Sequence, residues 1–263
     1  MRKRGLGTSL WVLPIAVSAF AAAQLPTPPA KARFVDSYSG VPIICEVDTD
    51  MFPTEWRTRE INALAAPLHP GQIERSIEIT RRALRKYPRR VLKTNLLKIY
   101  IARKISFYGL EFGGTNSVDR VFMSNDGILR GYTEEYIERM FHHEFSSILL
   151  RNYPNQLNRR EWDAANPPGF RYSGDGVQAL RDRADSTAYE EAMHRRGFLC
   201  QYAMSSFEED FNTIAEGLFS GGAAFWSAVD RHPQLRRKTR VAIAFYSKLD
   251  GTFTESRFRS FAL

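Results

Sequence analysis

The distribution of apolar and polar residues predicts a first half made of strands around one helix. Apolar residues recur at helical spacing between Gln72 and Lys86, among charged residues, which predicts an amphipathic helix. The apolar alternation of residues 41–47 favours a strand, and residues 96–112, which are rich in Ile, Tyr and Phe, are typical of strands. Residues 113–116, Gly-Gly-Thr-Asn, predict a turn before a further strand over residues 118–123.

The second half predicts long helices. Thr133 can N-cap a helix that runs to about Arg151, because two glutamates follow it in the first turn. Residues 155–176 contain loops with Pro and Gly, a further helix begins at Ser206, and residues 233–249 form a last helix. Strands and one helix followed by long helices are typical of the α+β fold class, and the length suits one domain.

The N-terminus predicts an export signal. Three basic residues precede an apolar run from Leu10 to Ala23, and the alanines at its end suit cleavage before Gln24. We therefore predict a signal peptide over residues 1–23, a Pro-rich linker over 24–33 and one domain over 34–263, in a periplasmic or secreted protein. The apolar run is short for a membrane span. Contact with a membrane is thus expected only through this segment, if it stays uncleaved as an anchor.

Net charge limits the expected binding partners, and the two cysteines raise the question of a disulfide. The formal net charge of +8 falls to +5 when the three basic residues of the leader are removed. The basic clusters of the mature chain are typical of solvated helix faces, so we expect no nucleic-acid binding; an acidic envelope surface is a more available partner. Cys45 and Cys200 either form one disulfide in an oxidising compartment or remain two buried free thiols, and the sequence leaves both alternatives open.

Residues 142–147, which read HHEFSS, are the most informative segment of the chain. Metallopeptidase helices of the H-E-x-x-H type place two zinc-ligating histidines at i and i+4, with a glutamate after the first. His143 and Glu144 occupy the first two positions, but Ser147 stands where the second histidine belongs. His143 and Ser147 share one helix face. The alternative interpretation is a core helix with a hydrogen-bonded histidine.

A second candidate segment lies about 65 residues downstream. Glu209 offers a carboxylate in the first turn of a helix, where a third zinc ligand can join two histidines. Tyr202, seven residues earlier, could donate to an oxyanion. Each residue also has a structural interpretation. Ser206 and Glu209 match a capping box in which Glu209 reaches back to the cap, and Tyr202 suits core packing.

Together these segments resemble the zinc-binding metallopeptidase family of secreted bacterial proteins. The family's signatures are similar to a helix reading HHEFxHIL, followed by YAxxSxxEDFAE. This chain reads HHEFSSIL over residues 142–149 and YAMSSFEEDFNT over residues 202–213. The likeness extends over about residues 130–220. The family is also similar to the lethal-factor type of gluzincin, in which a tyrosine precedes the glutamate ligand by a similar interval.

The resemblance implies a zincin-like α+β domain that acts on a peptide or protein substrate with zinc as its cofactor. By that resemblance His143 and Glu209 are zinc ligands, Glu144 is the general base and Tyr202 stabilises the oxyanion. Two functions follow: hydrolysis of peptide bonds if the metal site is competent, and non-catalytic binding of peptides or envelope polymers in a degenerate cleft. An unrelated structural helical protein is a third alternative.

The chain departs from the family pattern at two positions. Ser147 replaces the second histidine and Thr213 replaces a later acid. A serine hydroxyl is a poor zinc ligand, so zinc binding is expected to be weak or absent. Three other residues are candidates to complete the ligand set: His142, which a helix turns about 100° away from its neighbour, His194 and Asp210.

Overall fold

Strands occupy the first half of the chain and long helices the second. The computed structural model describes residues 32–174, 181 and 186–262; the predicted signal peptide and most of the predicted linker lie outside these residues. The described strands are β1 (Arg33–Val35), β2 (Pro42–Ile44), β3 (Leu64–Ala66), β4 (Lys98–Ala102), β5 (Lys104–Phe107), β6 (Leu110–Phe112), β7 (Gly114–Asn116) and β8 (Arg120–Ser124). The described helices are α1 (Pro70–Arg85), α2 (Arg89–Asn95), α3 (Glu134–Asn152), α4 (Arg159–Asp163), α5 (Glu191–His194), α6 (Phe207–Ser220), α7 (Gly222–Arg231), α8 (Pro233–Leu249) and α9 (Glu255–Ser260). This mixed content agrees with the predicted α+β class.

A five-stranded mixed sheet, ordered β1-β2-β4-β8-β7, forms the frame of the fold. β4 runs parallel to β2 and β8, whereas β1 and β7 at the two edges are antiparallel to their neighbours. β4 and β8 are apolar on both faces because both faces are covered. Ile101 and Val121 pack into the main core with the helices, and Tyr100 and Phe122 pack on the other side, beneath the small sheet β3-β5-β6.

α3 lies against β7 and β8, and α6 packs along α3. Buried aromatic rings fill the space around this helix pair: Phe141 and Phe145 come from α3, and Phe211 and Phe219 from α6. Tyr87, at the end of α1, stacks on Phe219 with 4.3 Å between ring centroids. The apolar faces of α3 and α6 therefore fix the relative position of the two helices that carry the candidate site.

The long helices follow the predictions from the apolar pattern. Thr133 caps α3, since its side chain accepts a hydrogen bond from the Tyr136 backbone N–H. α8 has the predicted bounds, and α6 begins directly after Ser206, as predicted, and ends at Ser220. α7 and α9 were not predicted, because residues 222–231 and 255–260 are short stretches whose helical state depends on packing against their neighbours.

The predicted turn at residues 113–116 is wrong, because residues 114–116 form the edge strand β7. The glycines serve a close approach to α3 rather than a change of chain direction. A Cβ on Gly114 would lie 2.7 Å from Met140 Cγ and 2.8 Å from Glu144 Oε1. A Cβ on Gly113 would lie 2.4 Å from the Tyr136 hydroxyl. Only glycine lets the strand lie this near the helix.

Cys45 and Cys200 are both buried and both free. Of the two alternatives, the structure therefore agrees with two free thiols, and these two residues form no disulfide with each other. Burial raises the pKa of each thiol to about 12, as expected of thiols that pack as small hydrophobes. Within the described ranges, no helix combines the length and the apolar character that a membrane crossing needs.

Candidate active site

α3 and α6 bring the two sequence segments face to face. Ser206 caps α6, and its hydroxyl accepts a hydrogen bond from the Glu209 backbone N–H at 3.1 Å. The predicted capping box is only half present. The Glu209 carboxylate points across to α3, where its Oε2 lies 2.8 Å from His143 Nε2. Both side chains are largely buried, with 14% and 16% of their surface exposed.

His143 lies between two carboxylates. Its Nε2 faces Glu209, and its Nδ1 lies 3.5 Å from Glu216 Oε2. Glu216 is held by Arg139, whose Nη2 donates to Glu216 Oε1 at 2.8 Å. Burial alone would lower the pKa of His143, but its hydrogen bonds with Glu209 and Glu216 outweigh burial and raise that pKa well above its usual value. The protonated imidazolium is therefore the favoured form.

Glu216 belongs to the site but was not predicted from the sequence. It lies seven residues after Glu209, two helical turns along the same face of α6. Burial raises the pKa of Glu216, but the Arg139 charge and the contacts with His143 together outweigh burial and the net shift is downward, so the carboxylate is ionised. Its place beside the outer nitrogen of His143 is that of the carboxylates that orient metal-binding histidines. The i+7 spacing was the available signal.

Ser147 does not face the His143–Glu209 pair as a free donor. Its Oγ accepts a hydrogen bond from Asn212 Nδ2 at 2.7 Å, and the side chain is almost fully buried. The amide oxygen of Asn212 in turn accepts from Ser146 Oγ at 2.5 Å. Two serines and one asparagine thus form a hydrogen-bonded cluster between α3 and α6, in the place where the resemblance puts the second histidine.

Glu144 faces the edge strand rather than α6. Its Oε2 accepts a hydrogen bond from Asn116 Nδ2 at 2.7 Å. Burial raises the pKa of Glu144 to about 7, against the opposing effects of His143 and Asn116. A carboxyl with this pKa exchanges a proton near neutral pH, as a general base or acid must.

Tyr202 reaches the same cleft from a short 3-10 turn, and its ring lies 6.1 Å from that of His143. Burial, and then the charge of Glu209, raise the pKa of Tyr202 above its usual value. The phenol is therefore neutral and able to donate a hydrogen bond. Its exposed face opens to a cleft of about 320 Å³, whose walls come from β6, β7, α3 and α6. The cleft is lined by Phe112, Gly113, Gly114, Tyr136, Arg139, Met140, His143, Glu144, Thr187, Tyr202 and Glu216.

The three residues that were candidates for a further zinc ligand in the cleft, His142, Asp210 and His194, contact other parts of the protein. His142 is buried with its Nδ1 3.0 Å from the Tyr87 hydroxyl, and burial lowers its pKa to about 4. Asp210 is buried as the partner of Lys238, whose Nζ lies 2.7 Å from Asp210 Oδ2. The expectation that Asp210 could rescue the cleft is therefore wrong. His194 belongs to a different cluster, with Glu191 and His232.

The cleft offers a zinc ion two of the three protein donors that a catalytic site usually supplies. His143 Nε2 and Glu209 Oε2 converge, but the third position holds the Ser147 hydroxyl, which is bound to Asn212. Thr213, at the position of the family's later acid, donates its hydroxyl to the Asp210 carbonyl oxygen. The residues present therefore do not fit a His-His-Glu zinc site.

A solved structure with a similar fold is that of a protein from Bacteroides caccae described as a "putative zinc-binding metallo-peptidase". The similarity covers 87% of this chain and 86% of that chain, with a TM-score of 0.55 and 14% sequence identity. At this identity the likeness shows the fold alone. No protein-family model matches the chain, and no curated protein matches it significantly.

Proposed function

We propose that the cleft between β7 and α3 binds an extended peptide, and that the protein is a zincin-like binding protein without a complete catalytic zinc site. The observation that carries this proposal is the hydrogen bond from Asn212 to Ser147, which occupies the position of the missing histidine. An asparagine that satisfies a buried serine stabilises the site without metal. The resemblance to metallopeptidases then reflects fold and cleft rather than zinc chemistry.

The charges around His143 support the same proposal. Glu209 and Glu216 are two carboxylates on either side of the ring, and Arg139 neutralises one of them. An imidazolium at His143 balances the other. A proton thus supplies the positive charge that a metal ion would supply in a peptidase, and zinc has to displace that proton before His143 can be a ligand.

The edge strand β7 supports an extended peptide as the occupant. Within the described residues β7 pairs only with β8. The Gly113 carbonyl and the Ser117 N–H both point toward β8, since they bond the Ser124 N–H and the Arg120 carbonyl. Alternation along the strand therefore turns the backbone groups of Gly114 and Asn116 outward. A peptide laid along this edge would gain main-chain hydrogen bonds, with the cleft receiving one of its side chains.

Peptide hydrolysis is the second candidate function. It is favoured by the Glu144 pKa of about 7 and by the neutral Tyr202 phenol, which line one cleft with His143. Glu144 can take a proton from a nucleophilic water, and Tyr202 can donate to a developing oxyanion. Zinc, when bound, would supply the polarisation of water and carbonyl. The incomplete donor set makes this the weaker candidate.

Export is part of the proposal. The basic residues 2–4 and the apolar run of residues 10–23 support a cleaved signal peptide, although both lie outside the described residues. The protein would then act in the periplasm or outside the cell. Mass determination of the protein from an exporting host should give Gln24 as the first residue. An intact Met1 on membrane-bound protein would contradict cleavage.

A mixture of tryptic peptides separates the two candidate functions. The immobilised protein is incubated with the mixture, with zinc or with EDTA, and both retained peptides and new chain ends are identified by mass spectrometry. We expect retained peptides and no new ends. New ends that appear with the native protein and vanish with Glu144→Gln would favour hydrolysis. If the protein retains no peptide and cleaves none, both candidate functions are refuted.

N-methylated versions of a retained peptide test the edge-strand contact itself. Methylation of an amide that faces β7 removes one hydrogen bond and should weaken binding roughly 2–10-fold. The matched control carries the methyl group on the next residue, whose amide faces away from β7. Equal losses at both positions would show that the peptide does not pair with this edge.

A further inference from the structure

A second group of histidines lies outside the cleft, where α5 meets the junction of α7 and α8. Glu191 and His194 are three residues apart on α5, and His232 is the single residue between α7 and α8. His232 Nε2 lies 3.4 Å from Glu191 Oε1, and His194 Nδ1 lies 3.9 Å from Glu191 Oε2. One ligand atom from each of the three residues lies within 4.8 Å of the other two.

These separations suit one bound ion. Zinc–nitrogen and zinc–oxygen bonds of about 2.0–2.2 Å place the ligand atoms of a tetrahedral site roughly 3.3–3.6 Å apart. The shortest separation already falls in this range, and the others need shifts of about 1 Å or less at side-chain ends. Glu191 is half exposed, so its carboxylate can make such a shift without disturbing the core.

Unsatisfied ring nitrogens point to a ligand. His194 and His232 are 6% and 8% exposed. Both nitrogens of His194 and the Nε2 of His232 are buried without a hydrogen-bond partner among the described residues. A buried nitrogen without a partner destabilises the fold, and His232 does not cap α8 with its side chain. Helix capping therefore does not explain why these imidazoles are there.

Arginines near Glu191 give the competing explanation. Arg195 Nε and Arg231 Nη1 lie 3.5 Å and 3.9 Å from its carboxylate. Both arginines are mostly exposed, and exposed pairs of this kind contribute little to stability. They account for the charge of the carboxylate, but among the described residues they lie beside Glu191 and give the buried ring nitrogens of His194 and His232 no hydrogen bond. A metal ion would bind the Glu191 carboxylate and one ring nitrogen of each histidine at once.

We propose that Glu191, His194 and His232 form a binding site for a divalent transition-metal ion, separate from the cleft and probed with zinc. Two imidazoles and a carboxylate are donors that zinc accepts readily. This set contains the second imidazole that the cleft lacks. The ligands come from α5 and from the α7–α8 junction, so the ion would fasten the segment that leads to Tyr202 onto the helical half of the domain.

The test is zinc titration of the mature chain by calorimetry, together with thermal unfolding. We expect one zinc per chain, and a rise in melting temperature of roughly 5–10 °C at zinc 100-fold above its Kd. The double variant His194→Gln/His232→Gln should lose the bound zinc and the thermal shift. Its affinity should fall by more than the 10–100-fold that loss of an outer-shell partner costs. His69→Gln, which removes an exposed histidine, should change neither.

Two further variants keep the outcome decisive. Glu191→Gln changes a half-exposed side chain, so this variant should fold normally and should bind zinc more weakly. It provides the test if the double variant fails to fold. His143→Gln removes the imidazole of the cleft and should leave the zinc affinity unchanged. The proposal is overturned if the double variant and Glu191→Gln bind zinc as the native protein does. It is also overturned if only His143→Gln abolishes zinc binding.

Discussion

The paired substitution Ser147→His/Asn212→Ala should create a zinc site in the cleft. His143 and residue 147 are one helical turn apart on α3, and Glu209 already faces His143 at 2.8 Å. Asn212 fills the space beside Ser147, so a histidine there needs the smaller residue at position 212. The family signature has alanine at the position of Asn212, which makes the double change the matched one.

The expected gain in affinity follows from the donor count. A structural zinc site with four ligands binds with about 10–16 kcal/mol, so one added ligand contributes on the order of 3 kcal/mol. That corresponds to about a 100-fold gain in zinc affinity. The zinc affinity of the variant should rise as the pH is raised, because zinc must displace the proton that Glu209 and Glu216 hold on His143. Without zinc, the variant should lose about 1 kcal/mol for each hydrogen bond removed from the serine–asparagine cluster.

The assay is competitive calorimetry with a zinc chelator, in a background that carries His194→Gln and His232→Gln so that only the cleft is measured. The control is Ser147→Ala/Asn212→Ala, which removes the same hydrogen bonds and adds no ligand. Equal zinc affinity for the control and for a correctly folded histidine variant would show that position 147 does not face a metal site. Tight zinc binding by the native cleft would equally refute the reasoning from the missing donor.

Three further predictions concern individual polar contacts. Lys238→Met should lower the free energy of unfolding by about 3–5 kcal/mol, since it leaves Asp210 buried without its cationic partner; adding Asp210→Asn should restore most of that loss in urea unfolding. Asn116→Ala should raise the pKa of Glu144 above about 7, because it removes a hydrogen bond to the ionised carboxylate; carboxyl NMR titration measures this. His143→Gln should destabilise the protein most below about pH 6.5, since a raised folded pKa stabilises the native state there. That difference in urea unfolding, measured in EDTA, should shrink as the pH rises through the folded pKa.

Local sequence patterns were sufficient to predict the helices that carry the candidate site. The bounds of α3 and α6 follow from Thr133 and Ser206, because an N-cap depends on hydrogen bonds within four residues. The strand β7 was missed for the opposite reason. Gly113 and Gly114 are required by the approach of α3, whose contacting residues lie 23–30 positions later in the chain, and adjacent glycines more often signal a turn.

The polar partners show the same limit of sequence reasoning. Asp210 was a candidate ligand because it follows Glu209, yet one residue on a helix is a rotation of about 100°. That rotation turns its carboxylate toward Lys238, 28 residues later in the chain. Glu216 was overlooked although its i+7 spacing places it on the face of Glu209. Helical periodicity would have separated these two acids, but it cannot identify a partner on another element.

Ser147 and Asn212 together argue that the contact between α3 and α6 at this position is complete without a metal ligand. A lone serine in the place of a histidine would leave a small gap between α3 and α6 and an unsatisfied hydroxyl, and both cost stability. Here Asn212 occupies the space and satisfies Ser147, while Ser146 satisfies Asn212. Restoring only the histidine would therefore collide with Asn212, so Ser147→His alone should gain less zinc affinity than the paired change. A single substitution that gains as much as the double one would show that Asn212 does not obstruct a ligand at position 147.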